Sequence, residues 1–91
     1  MPKITIYLYG LIPGKFVDTV YSLAEGSTLE TVENLVLEQY GAEIPAQYKE
    51  DNQRLNHNLV IAGNDQGERL SYTSDISTVQ EIWFIVPLAG G

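Results

Sequence analysis

The sequence predicts one α+β domain in which a mixed sheet of four or five strands packs on one main helix. Three observations predict this fold class. Apolar residues alternate near both ends of the chain, a segment between them has helical spacing, and no repeat or linker divides the 91 residues. Because 44% of the residues are hydrophobic, a chain of this length can bury one modest core.

The N-terminal segment predicts a β-hairpin. In KITIYLYG, Ile4, Ile6 and Leu8 share one face of an alternating pattern, as in a strand with one buried side. Pro13 and Gly14 then supply a turn, and the β-branched and aromatic segment FVDTVYSL follows. Two antiparallel strands are therefore expected to begin the sheet.

The segment GSTLETVENLVLEQYG predicts the helix. Its apolar residues recur at helical spacing, Ser27 with Glu30 resembles a capping box, and Gly41 is placed to end the helix. Glu30, Glu33 and Glu38 lie largely on its polar side, where exposure to solvent is the expected state.

The second half of the chain predicts the remaining strands. The polar stretch YKEDNQRLNHN indicates a loop, NLVIAG a short buried strand, NDQG a turn and ERLSY a brief edge strand. QEIWFIVP is apolar on both faces, with Ile82, Phe84 and Val86 on one and Trp83 and Ile85 on the other. Such a strand is expected in the middle of a sheet.

The predicted core lies between sheet and helix. It comprises Ile4, Ile6, Leu8, Leu29, Val32, Val36, Ile61, Ile82 and Phe84. Because one helix covers only one face of a sheet, we expect Trp83, Ile85, Tyr7 and Leu88 to form a patch on the other face that docks a partner. The alternative is that the long loop folds over them.

Composition limits the possible partners. A formal net charge of -7 disfavours nucleic acid and anionic membrane surfaces, which need clustered Lys and Arg, and favours a basic or mixed-charge protein. The absence of cysteine excludes disulfides, thiolate metal sites and a cysteine nucleophile in this chain. With neither a membrane-spanning run nor a signal peptide in the sequence, we expect a cytoplasmic protein.

Catalytic motifs are weak or missing. GLIPGKF is one spacer short of a phosphate loop and has Phe16 where Ser or Thr would hold magnesium, so a hairpin turn explains it better. His57, the only histidine, has no second histidine for a metal site and is expected to be a plain surface residue. No pair of carboxylates is evidently placed for acid–base catalysis.

The C-terminal sequence carries the functional signal. A carboxylate becomes electrophilic only when one oxygen is replaced by a leaving group such as AMP. A partner's narrow channel would then favour glycine, whose backbone can be approached closely. The alternative is a frayed end without function. The sequence here is EIWFIVPLAGG, which provides Glu81, Ile82, Phe84, Pro87, Leu88, Ala89, Gly90 and Gly91.

This motif, the order of the predicted elements and the EGST before the helix resemble the MoaD/ThiS family of ubiquitin-like sulfur carriers, which includes small subunits of molybdopterin synthase. The resemblance covers essentially the whole chain. It implies a β-grasp fold, with the domain at residues 1–86 and a flexible tail at residues 87–91.

The resemblance also implies a role in sulfur transfer. An activating enzyme of the MoeB/ThiF type would use ATP and magnesium to adenylate Gly91, and a persulfide donor would convert the adenylate to a thiocarboxylate. A synthase, such as the large subunit of molybdopterin synthase, would accept the sulfur. The reactive site would comprise Gly91 and Gly90, and partner contacts would fall on Tyr7, Trp83, Ile85, Pro87, Leu88 and Ala89. The chain itself would bind no cofactor or metal and would be a carrier, not an enzyme.

Some departures from the family pattern leave the pathway open. Val79 and Gln80 replace a Gly-Asp common in molybdopterin-type members, Val86 and Pro87 replace two prolines, and YGLIPGK lacks an arginine. The acceptor could belong to molybdopterin, tungstopterin, thiamine, cysteine or other sulfur metabolism. Two other classes remain: a protein modifier conjugated to lysines through Gly91, and a non-covalent β-grasp binding module.

Overall fold

Four β-strands and one α-helix form the fold in the computed structural model, which describes residues 3–51, 54–76 and 78–87. In chain order the elements are β1 (Lys3–Ile12), β2 (Lys15–Ser22), α1 (Leu29–Tyr40), a 3-10 helix (Ala46–Tyr48), β3 (Ile61–Asn64) and β4 (Glu81–Ile85). The sheet order is β2-β1-β4-β3, with β1 and β4 parallel and the other pairs antiparallel. The predicted α+β class is confirmed, and this mixed sheet packed with one helix is consistent with a β-grasp, ubiquitin-like fold.

The hairpin forms where the sequence predicts it. Pro13 and Gly14 link β1 to β2, and the last paired residues before the turn are Ile12 and Lys15. Gly14 has a φ of 71°, a conformation that side chains disfavour, which explains a glycine at this position. The register then shifts between Tyr9 and Ile12, so that Phe16 lies opposite Tyr9 along the rest of the hairpin.

The last strand lies inside the sheet, as its two apolar faces predict. Within β4, Ile82 lies beside Ile6 and Phe84 beside Leu8. The opposite edge of β4 pairs with β3, where Ala62 lies beside Phe84. Ile82 and Phe84 are completely buried, so this strand forms the centre of the core.

One predicted core residue lies elsewhere. Ile61 is only half-buried, because its partner across the β3–β4 ladder is Ile85, on the face that the helix does not cover. The core positions in this part of the chain belong to Val60 and Ala62 instead. A shift of one residue exchanges the two faces of a strand. The remaining eight predicted core residues are buried: Ile4, Ile6, Leu8, Leu29, Val32, Val36, Ile82 and Phe84.

The helix begins one residue later than the predicted capping box. Thr28, not Ser27, is the N-cap, and its N–H donates to Thr31 Oγ1 at 3.4 Å. The Ser27 hydroxyl instead donates to the carbonyl of Ala24 at 2.7 Å. The first two helical amides, of Leu29 and Glu30, donate to carbonyls of the 72–74 segment. Residues distant in the sequence therefore accept the hydrogen bonds of these two amides, which have no acceptor within the helix.

Gly41 ends the helix as predicted. Its N–H donates to the Leu37 carbonyl at 2.9 Å, and a Cβ at Gly41 would lie 2.3 Å from the same oxygen. The ammonium group of Lys49 donates to the Gly41 carbonyl at 2.7 Å.

Among the described residues, none of the helices has the length and apolar character that a membrane span requires.

The predicted edge strand ERLSY does not form a strand among the described residues. Arg69 makes a single bridge with Gly63, and Leu70 donates one hydrogen bond to the Ala62 carbonyl. The predicted turn NDQG is present, with the N–H of Gly67 donating to the Asn64 carbonyl. Because β3 has only four residues, it offers too short a template for a longer partner strand.

Replacing Phe84 with Ala should destabilise the fold by about 3–5 kcal/mol, because the ring is completely buried at the centre of the core. The measurement is the free energy of unfolding in denaturant. Ile85→Ala, one residue along the same strand but on the exposed face, is the matched control and should cost far less. Equal costs for the two substitutions would contradict the described register of β4.

Candidate functional site

The face of the sheet away from the helix carries a cluster of large apolar side chains. We call the cluster of Tyr7, Tyr9, Phe16, Trp83 and Ile85 the open face. Strand register brings these residues together, because Tyr7 pairs with Trp83 while Tyr9 pairs with both Phe16 and Ile85. Paired residues project from the same side of a sheet, so three strands contribute to one surface.

Aromatic contacts order this surface. The rings of Tyr7 and Trp83 stack with centroids 4.1 Å apart and planes 17° apart. Phe16 meets Tyr9 edge to face, with centroids 5.5 Å apart, and lies 6.1 Å from Tyr7. Such pairs favour fixed ring positions, so the open face presents a defined apolar shape.

The open face remains accessible to a partner. Tyr9, Phe16 and Ile85 are 57%, 51% and 36% exposed. Of the residues over which the long loop could instead have folded, Ile85 is exposed, while Tyr7 and Trp83 are half-buried. Exposed apolar clusters of this kind commonly mark interaction surfaces.

Acidic residues lie beside the open face. Asp18 pairs with Tyr7 across the hairpin, and Glu81 pairs with Thr5 across the β1–β4 ladder, so both carboxylates lie on this side of the sheet. Together with a net charge of -7, they give this side an acidic character. A complementary partner surface would be apolar at its centre and basic at its border.

The central strand leaves the sheet beside the open face. The N–H of Val86 donates to the Tyr9 carbonyl at 3.1 Å, directly after β4 ends at Ile85. Pro87 has no amide hydrogen and therefore cannot extend this ladder. The predicted site residues Leu88, Ala89, Gly90 and Gly91 lie outside the described residues.

The structure brings together three of the predicted partner-binding residues, namely Tyr7, Trp83 and Ile85. Their role in binding stays a prediction. Sequence reasoning missed Tyr9 and Phe16, which are the most exposed members of the open face. Tyr9 follows Tyr7 by two residues and could have been found from alternation. Phe16 lies opposite Tyr9 only because the register shifts between Tyr9 and Ile12, and no sequence pattern indicated that shift.

A second cluster, which the sequence did not predict, lies on the helix side. Glu33, expected to be solvated, is completely buried and is the only buried charged residue among those described. Its Oε1 accepts a hydrogen bond from the Leu55 N–H at 2.8 Å, and its Oε2 lies 2.5 Å from His57 Nε2. The prediction that Glu33 is solvated was therefore wrong, and His57, expected as a plain surface residue, is half-buried against it. The cause is the loop containing Leu55, which crosses the helix at Glu33.

Tyr72 completes this cluster. Its ring stacks on the His57 imidazole with centroids 4.2 Å apart. Its hydroxyl lies 2.5 Å from the Leu55 carbonyl and 2.7 Å from Glu50 Oε2, so a single proton serves two acceptors. Burial and the hydrogen bond to Glu50 raise the pKa of Tyr72 well above its ordinary value. We call Glu33, Leu55, His57 and Tyr72 the Glu33 cluster.

Comparison with protein-family models finds no match for this chain, and comparison with curated proteins finds none either.

If the open face docks the activating enzyme that the sequence predicts, replacing Ile85 with Glu should weaken that binding by at least about tenfold without unfolding the domain, because a charge would enter an apolar contact surface. Titration calorimetry measures the affinity and thermal melting checks the fold. Asn34→Glu, which adds the same charge at an exposed position on the helix, is the control and should bind normally. Equal binding by wild type and Ile85→Glu would place the interface elsewhere.

Proposed function

We propose that the chain is a sulfur carrier whose Gly91 carboxylate is the carrying group. The carboxylate attacks the α-phosphate of ATP on a partner enzyme, which releases pyrophosphate and leaves an acyl-adenylate. A persulfide sulfur displaces AMP, and a thiol reduces the resulting acyl disulfide to the thiocarboxylate. That group then donates its sulfur during cofactor biosynthesis, of the molybdopterin, tungstopterin or thiamine type. The proposal requires Gly91 to carry the free α-carboxylate.

One observation carries this proposal: the central strand both contributes to the open face and leads into the Gly-Gly sequence. Trp83 and Ile85 belong to the open face, and the chain continues from them through Val86 and Pro87 to LAGG. A partner docked on the open face would therefore lie beside the start of the C-terminal segment. Five extended residues reach about 17 Å, which is enough to enter a neighbouring active site.

The sequence also fits a protein that carries sulfur on its terminus and not on a side chain. It contains no cysteine, so it cannot hold a persulfide of its own and would receive sulfur from a donor. The two glycines present no side chain to a narrow channel around the acyl-adenylate. Both features support a terminal carboxylate as the reactive group.

The charge distribution supports a protein partner. Asp18 and Glu81 lie beside the apolar cluster, and the whole chain is acidic. Electrostatic attraction to a basic border accelerates association, while the apolar centre supplies most of the binding free energy. We expect the activating enzyme and the sulfur-accepting synthase to use this same face in turn, because the same tail must reach both active sites.

Deleting Gly91 should abolish adenylation while leaving the melting temperature nearly unchanged. The deletion moves the carboxylate about 3.5 Å back along the chain, and displacements of about 1 Å already cost about 100-fold in rate. The assay is pyrophosphate release from ATP with an activating enzyme of the MoeB/ThiF type from the same organism. Gly90→Ala tests the steric requirement separately, because its methyl group would collide with a close-fitting channel.

Both tail variants should still bind the activating enzyme through the open face, which separates loss of the reactive end from loss of docking. Adenylation of both variants at the wild-type rate would contradict the proposal and favour a non-covalent binding module. Adenylation followed by lysine conjugates, without any thiocarboxylate, would favour a protein modifier instead.

A further inference from the structure

The Glu33 carboxylate holds a loop against the helix. Its two oxygens bind atoms of a single segment, the N–H of Leu55 and the Nε2 of His57, at 2.8 Å and 2.5 Å. Leu55 is itself completely buried. The carboxyl group is therefore a buried polar link between α1 and residues 54–60, whereas the Glu30–Arg54 ion pair joins the same elements at the exposed surface.

Among the described contacts, His57 is the basic side chain that contacts Glu33. The other charged groups nearby contact one another or Tyr72. Glu30, one turn earlier on the helix, forms an ion pair with Arg54 at 2.7 Å. The Arg54 guanidinium also lies 5.2 Å from the centre of the Tyr72 ring, while Glu50 binds the Tyr72 hydroxyl. Arg54 is thus engaged with Glu30 and Tyr72, and charge on Glu33 is balanced chiefly at His57.

A buried carboxylate without an opposite charge is costly, so the closed cluster needs a proton. The proton resides either on His57, which gives an ion pair, or on Glu33, which gives a neutral hydrogen bond. Both arrangements place it between two atoms 2.5 Å apart. Removing it leaves a buried negative charge beside a neutral imidazole, which can still donate an Nε2–H to Glu33 but no longer supplies an opposite charge.

We propose that the proton shared by Glu33 and His57 is a latch that closes residues 54–60 onto α1 and opens as rising pH removes it. The segment that it holds leads directly into β3, whose first residue, Ile61, pairs with Ile85. Opening the latch would therefore loosen one border of the open face. The latch does not depend on sulfur transfer, and its test needs no partner.

The sign of the pH dependence follows from the pKa of Glu33. Burial raises this pKa above its ordinary value of 4.5, and the hydrogen bonds from Leu55 and His57 oppose the rise only in part. The closed cluster thus binds a proton more tightly than a solvated carboxyl group does. The stability that the proton provides is fully present below pH 4.5 and is lost as the pH rises through the raised value.

Hydrogen exchange at the Leu55 amide, measured by NMR, tests the latch directly, because this amide donates to Glu33. Glu33→Gln is the matched variant, since its amide can accept from Leu55 and donate to His57 but does not ionise. The ratio of wild-type to variant protection cancels the intrinsic pH dependence of exchange. From pH 5 to pH 8 we expect this ratio to fall, up to about tenfold for each unit by which the pKa is raised. A constant or rising ratio would overturn the latch.

Two controls make the result specific. The Val36 amide, in the same helix but outside the cluster, should keep its relative protection, whereas a parallel loss there would mean global destabilisation and would overturn the latch. If Glu33→Gln does not fold, the wild type alone suffices. The carboxyl carbon of Glu33 and the amide nitrogen of Leu55 should then titrate with one midpoint above pH 4.5, and separate midpoints would overturn the proposal.

Discussion

The fold is governed by one constraint: a single helix of twelve residues covers only one face of a four-stranded sheet. The central strand β4 is apolar on both sides, but the helix covers only one of them. Ile82 and Phe84 point to the helix and are completely buried, whereas Ile85, on the opposite side, remains 36% exposed. Apolar surface that the domain cannot bury itself is available for a partner, and it lies where the chain leaves the sheet toward Gly91.

On the helix side of the sheet, by contrast, a charged group is buried. Glu33 occupies a position where an apolar residue would add to the core, yet its oxygens satisfy the Leu55 amide and contact His57. Burying a paired polar group adds little stability compared with apolar packing, but breaking the pair is costly. The cluster therefore fixes the path of the loop more than it strengthens the domain. It also makes that path depend on a proton.

Local patterns predicted most of the fold, and long-range contacts account for the errors. The hairpin, the helix and the central strand follow from alternation, helical spacing and turn residues within short windows. Ile61 was placed on the wrong face because a four-residue strand contains too little alternation to fix its register. Glu33 and His57 lie 24 residues apart, so no local pattern indicated that they meet. On the open face, Trp83 and Ile85 were predictable from alternation, while Phe16 required the register of the hairpin.

Protein purified from its native host offers the sharpest test of the proposal that Gly91 carries sulfur. Because the chain has no cysteine, a thiol-specific maleimide should label only a thiocarboxylate. Mass spectrometry of the labelled protein and of its C-terminal peptide then locates the label. We expect one maleimide adduct per carrier molecule, at Gly91, in a fraction of the protein. An unlabelled C-terminal peptide in every fraction, or Gly91 joined to a lysine side chain, would contradict it.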